Sequence, residues 1–188
     1  MKPVESIDRV ITMCTDVKKR ISVNTTSKIT FNNDRYTGVD CFILHEGVAC
    51  VRGNDSKVVL AYISAPFILG YNGFFDLNGN VYVEAISEMS FEFIKAVDIS
   101  KVLSTCQFEA DMMNILMYNS FVLFRSVSIL LEKDKNRLIE KAQAMFSDEP
   151  EIIRETMPFH VYISQKAGIN PKTALRYIKS IRKSPTGR

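Results

Sequence analysis

Four cations near the C-terminus recur at helical spacing. Lys172, Arg176, Lys179 and Lys183 follow i, i+4, i+7, i+11, which puts all four charged groups on one face of a helix. Such a face does no covalent chemistry; it holds polyanions by Coulomb attraction and counterion release. Ala174, Tyr177, Ile178 and Ile181 point elsewhere and offer that helix a side for packing. From Thr156 onward the chain carries seven Lys or Arg, including Lys166, Arg182 and Arg188, and no acid, against 17 basic and 21 acidic residues before it. The net charge of +3 therefore divides into segments of about −4 and about +7, the distribution expected when only one end meets phosphate. A merely solvated lysine-rich face is the plain alternative.

The elements that must position this face are written in the same thirty residues. Gly168 sits where the chain turns between two short helices, and glycine reaches the left-handed conformation without a Cβ clash. Ile163, Ala167, Ile169, Ala174 and Tyr177 fall at the spacings that pack two crossed helices, with small Ser164 at the close approach. Asn170 suits an N-cap and Pro171 the first helical position. Pro158 to Arg188 thus reads as a helix-turn-helix whose partner is double-stranded DNA.

Other chemistry finds less support. Cys14, Cys41, Cys50 and Cys106 form no CxxC pair, and with two histidines in the chain no metal centre or cofactor is expected. Cys41 and Cys50 lie in strand-like runs and read as buried small hydrophobes, a redox-sensing thiol being the alternative. Neither histidine has a nucleophile or carboxylate at a recognisable motif spacing, so no enzyme is expected. The opening MKPVESIDRV lacks an apolar signal core, which places the chain in a reducing cytoplasm.

With 188 residues, 46% of them apolar, the chain can bury a sizeable core. Residues 1 to about 27 read as a helical lead-in, with Ile7, Val10, Ile11 and Cys14 as its apolar stripe. From Lys28 to about Ile94, short β-rich runs (KITF, CFILHEGVACVRG, VVLAYI, VYVEAI, FEFI) separated by turn residues predict an antiparallel roll or barrel, with Asn54, Asp55 and Ser56 turning a hairpin. From about Ser100 to Lys133 the period is helical. Met113, Leu116, Leu123, Val127 and Leu130 make one stripe, and Met117, Phe121, Phe124 and Leu131 a second. One stripe would serve the chain's own β-domain; two predict that the helix also packs against a second copy, core packing all round being the alternative. Asn114, Asn119 and Arg125 argue for a buried helix over a membrane span, and no membrane partner is expected. Leu138 to Phe146 is a further amphipathic helix, and DEPE at 148 to 151 is a polar joint before a helix starting near Pro158. The expected fold class is α+β: a β-roll domain over 1–99, a dimerisation helix over 100–133 and a helix-turn-helix domain over 134–188.

A β-roll, a long apolar helix and a C-terminal helix-turn-helix, in that order, resemble the CRP/FNR family of bacterial transcription regulators. The runs CFILHEGVACVRG and VVLAYISAPFILGYNGFF look like that family's cyclic-nucleotide-binding-like core, with Gly47 and Gly70 in place. The spacing EGV…VRG…APFI.G to a final YI…R is most similar to the divergent IprA/YaiV-like branch. The resemblance implies a DNA-binding homodimer, with RNA polymerase as a further candidate partner. It places Lys172, Thr173 and Arg176 against bases or phosphate: Arg176 is the base reader, because a guanidinium can bond guanine O6 and N7 together, Thr173 a phosphate contact, and Lys179 and Lys183 sources of non-specific affinity. Two departures stand out. Where cyclic-nucleotide members carry a glutamate, an arginine and a serine, this chain has Tyr71, Gly79 and Asn80, so no cation meets a cyclic phosphate. Phe67, Phe74 and Phe75 could instead line an apolar or aromatic effector site, though core packing is their plainer role. SPTGR after Lys183 leaves the family's β-hairpin wing absent or shortened. A sensory or interaction module whose basic tail is only an auxiliary contact is the competing function.

Overall fold

Residue alternation and register shifts in two strand pairs decide which side of each strand faces which layer. The computed structural model describes residues 1–30, 41–53, 58–70, 81–94 and 106–183. Within them, strands β1 (Ile21–Val23), β2 (Lys28–Thr30), β3 (Cys41–Glu46), β4 (Val48–Gly53), β5 (Val59–Ser64), β6 (Phe67–Gly70), β7 (Val81–Ala85) and β8 (Met89–Ile94) form two antiparallel sheets, ordered β1-β8-β3-β6 and β2-β7-β4-β5. Phe42 and Leu44 of β3 face Ala49 and Val51 of β4, with Ile63, Phe67, Val83 and Phe91, in the core between the sheets. Phe42, Phe91 and Phe93 fill that interior with rings 5.3–5.8 Å apart. The alternate residues Cys41 and Ile43 face outward from the first sheet, and Cys50 from the second. These strands are buried on both faces, hence their unbroken apolar runs.

The chain passes from the first sheet to the second at Gly47, whose φ is +90°; a Cβ there would lie 2.2 Å from the Glu88 carbonyl oxygen. Only glycine fits. A register shift between Val51 and Arg52 leaves Leu60 as an extra residue opposite β4, which turns Val59 to the outer face while Ala61 stays inside.

Helices cover both outer faces. Helix α1 (Val4–Cys14) and the first half of α2 (Cys106–Leu130) lie on the first sheet, where Ile7 and Val10 meet Ile43, Ile68, Phe108, Met112 and Ile115. Arg9 of α1 forms a bidentate pair with Asp111 of α2, at 2.8 and 2.7 Å, and holds that carboxyl down at about 2. On the second sheet lie α3 (Lys135–Ser147), α4 (Glu151–Thr156), α5 (Phe159–Ala167) and α6 (Pro171–Lys183). Asp134 caps α3 by accepting from the Asn136 and Arg137 backbone N–H groups, both at 2.9 Å.

Several expectations are corrected. The lead-in helix ends at Cys14 and strand begins at Ile21. Between the expected polar joint and the helix near Pro158 stands a further helix, α4, and the residue preceding it, Pro150, follows a largely buried Glu149. Cys41 and Cys50 are buried as expected, and burial pushes the Cys50 thiol up to about 11. Helix α2 is not buried all round. Its inner face is a third row, Phe108, Met112, Ile115, Asn119, Ser126 and Ile129, and neither apolar stripe belongs to it. Stretch Gln107–Leu130 is long and apolar enough to cross a bilayer, yet the inner row includes Asn119, whose Nδ2 donates to the Ile68 carbonyl at 2.9 Å. The turn at 54–56, Phe74, Phe75 and the Tyr71, Gly79 and Asn80 positions lie outside the described residues.

Candidate nucleic-acid interface

The two C-terminal helices meet through a turn built from local rules. Helix α5 closes at Gly168 with φ +65°, and the Ser164 carbonyl accepts from the N–H groups of both Gly168 and Ile169. Ser164 Oγ then donates to the Ile169 carbonyl at 2.8 Å, which ties the turn back to α5. Asn170 Oδ1 accepts from Lys172 N at 2.9 Å, and Pro171 starts α6. Ile163 and Ala174 are fully buried between the helices, with Ala167, Ile169 and Tyr177 partly buried around them. All five expected packing residues are brought together.

On the outer face of α6, Lys172, Arg176 and Lys179 are exposed and Thr173 is half-buried. Arg176 Nη2 donates to Thr173 Oγ1 at 3.3 Å, which holds the guanidinium over the first turn. Among the described residues, none of these three cations has a carboxylate within ion-pair distance. The face is a positive stripe with free donors. Lys183 closes α6, and its side chain lies outside the described residues.

Lys166 does not belong to this face, although it counts toward the basic C-terminal charge. It is 1% exposed. Its Nζ lies 3.7 Å from Glu149 Oε1, donates to Ser126 Oγ of α2 at 3.2 Å and to the carbonyl of the bulged Leu60 at 3.4 Å, and sits 5.1 and 5.8 Å from the rings of Tyr62 and Tyr162. Burial pushes the lysine down and the Glu149 carboxyl up, and each opposes the other's shift by attraction. Tyr162 donates to Glu149 at 2.7 Å, and the Tyr62 hydroxyl bonds Gln165. Strand β5, helix α2 and the joint before α4 are thereby tied to α5, so the stripe is carried on a platform fixed to the roll. The sequence held a signal for this: Lys166 stands three and four residues beyond the buried Ile163 and Tyr162, on the packed side of α5.

The expected association face lies at the surface. Met113, Val127 and Leu130 are exposed and Leu116 and Leu123 half-buried, beside the exposed Met117, Phe121, Phe124 and Leu131. This apolar row is larger than single scattered surface hydrophobes.

No protein-family model matches the sequence, and no curated protein sequence resembles it. Solved structures do resemble the fold. The c-di-GMP-responsive global regulator CLP of Xanthomonas campestris is 16% identical with a TM-score of 0.65, over 95% of this chain and 91% of that one. A cyclic nucleotide-binding domain containing protein from Listeria monocytogenes is 11% identical with a TM-score of 0.67, over 96% and 90%. A CRP/FNR-family transcriptional regulator from Thermus thermophilus is 15% identical with a TM-score of 0.58, over 90% and 88%. The chain therefore has the architecture of CRP/FNR-type transcription regulators, a cyclic-nucleotide-binding-like β-domain followed by helices. Nothing in these likenesses singles out the IprA/YaiV-like branch.

Proposed function

We propose that the chain is a sequence-specific DNA-binding transcription regulator, acting as a homodimer in the cytoplasm without control by cyclic nucleotide. One observation carries the reading: on a fold shared with transcription regulators, α6 turns Lys172, Arg176 and Lys179 outward, without carboxylate partners among the described residues, from a pair of C-terminal helices that turn at Gly168 and are tied to the roll. Arg176 is the base reader, Thr173 a phosphate contact, and Lys179 and Lys183 sources of general affinity. The outer row of α2, with Met113, Leu116, Leu123, Val127 and Leu130, is the dimer seam, and a two-fold dimer would present two α6 helices about one helical turn of DNA apart. RNA polymerase is a further partner in this reading. The IprA/YaiV-like placement rests on the EGV…VRG…APFI.G run and its spacing to a final YI…R.

The test is selection from a random duplex library, followed by anisotropy titration of the full chain at about 0.15 M salt. The selected duplex should carry two half-sites about ten base pairs apart and bind at least about 10³-fold more tightly than random duplex. Equal binding to both overturns the reading. Calorimetry with cyclic AMP and cyclic GMP tests the rest: micromolar binding that also improves affinity for the selected duplex would defeat the independence from cyclic nucleotide.

A further inference from the structure

A cavity of about 600 Å³ opens beside the roll and shares Ile63 and Phe67 with the core between the sheets. Its walls come from β5, the start of β6, α2 and the joint before α4. Tyr62, Phe67, Tyr118, Phe121 and Val122 make them largely aromatic. The volume lies within the range of pockets that hold small molecules, about 300–1,000 Å³.

The charges on the lining do not balance. Arg125 is paired with Asp148 at 2.9 Å, and Lys166 with Glu149 at 3.7 Å. Lys2 is left over. Its Nζ donates to the Ser64 carbonyl at 2.6 Å and lies 5.8 Å from the centre of the Phe67 ring, with no carboxylate at ion-pair distance among the described residues. Burial lowers Lys2 to about 8, which still leaves it cationic at neutral pH. An ammonium carries three donors, so an acceptor in the cavity would find donors available. Asp148 and Glu149 on the same lining would repel a second negative charge. A surplus cation, aromatic walls and two repelling carboxylates specify one ligand chemistry.

We propose that this cavity binds a small monoanion with a flat apolar body, its carboxylate on Lys2 and its body against the Tyr118 and Phe121 side of the lining. Such a ligand would sit against the Glu149–Lys166 pair that anchors α5. The site is independent of the DNA-binding reading, since occupancy is measured without DNA.

The probe is naphthalene-2-carboxylate, titrated into the full chain by calorimetry. Binding with a Kd of about 10–100 μM is expected. The neutral carboxamide should bind at least about 10-fold more weakly, and Lys2→Gln should weaken the carboxylate by a similar factor while Lys2→Arg retains it. Glu140→Gln, on the exposed side of α3, should leave binding unchanged, and thermal melts should show Lys2→Gln folded, since the glutamine amide can still donate to the Ser64 carbonyl. No saturable binding up to about 1 mM, equal binding of acid and amide, indifference to Lys2→Gln, or loss only in Glu140→Gln would each overturn the proposal.

Discussion

Helices α2 and α6 both pack one side on the chain and leave the other bare, but the bare sides have opposite chemistry. The outer row of α2 exposes Met117, Phe124 and Leu131 at 66%, 72% and 71%, whereas that of α6 presents Lys172, Arg176 and Lys179. An apolar face gains free energy only by leaving water, which suits another apolar surface such as a second copy. A cationic face would lose hydration on burial against apolar groups, and gains instead where an anionic partner releases counterions. The contrast also separates lysines within one module. Lys179 faces water, while Lys166, thirteen positions earlier, is enclosed by two tyrosines, a serine and a glutamate. Charge sign alone does not place a residue at the interface; the face of the helix does.

The largest effect should come from the enclosed lysine. Lys166→Ala leaves Glu149 buried without its cation and is expected to cost about 3–5 kcal/mol in urea unfolding, whereas Lys179→Ala should change stability by less than about 0.5 kcal/mol. Similar costs for the two would erase the distinction between them. Next, Leu123→Asp or Val127→Asp would place like charges across the α2 seam and should cost about 3 kcal/mol of association, seen by light scattering as monomer with helicity retained. If the unaltered chain is already monomeric at micromolar concentration, the two outer faces differ in composition but not in having partners. Arg176→Ala should then weaken binding to the selected duplex by about 1–3 kcal/mol and relax preference at one base pair per half-site. Equal losses on selected and random duplex would make Arg176 a phosphate contact instead.

Acid should act on the packed side of α2 rather than on either bare face. Because Arg9 depresses Asp111 to about 2, the contribution of this pair is present above about pH 4 and disappears as pH falls toward 2. Urea melts of Asp111→Asn should therefore show less loss of stability across that window than the unaltered chain. The smallest effect belongs to Lys179→Ala on DNA: a near-uniform weakening across sequences, with the salt slope reduced by about 1.

The sequence by itself determined what depends on neighbouring residues. The Gly168 turn, the Asn170 cap and the division of α6 into packed and charged sides all follow from contacts within about ten positions, and each is found where the residue types demand it. The strand runs were legible for the same reason. Tertiary structure alone decided the inner face of α2. On a helix apolar nearly all round, periodicity has no contrast to report, and the face that turns inward includes Asn119 and Ser126, which sequence reasoning would send to solvent. The Asn119 Nδ2 group and the Ser126 hydroxyl are satisfied there by the Ile68 carbonyl and the Lys166 ammonium, 51 and 40 residues away, while Asn119 Oδ1 is buried with no hydrogen-bond partner among the described residues. The same holds for Val59, turned outward by the bulge at Leu60, and for Lys166, whose counterion lies in the joint before α4. A buried polar group costs free energy where it lacks a partner, and such partners are chosen by the packing of distant segments, which no local pattern records.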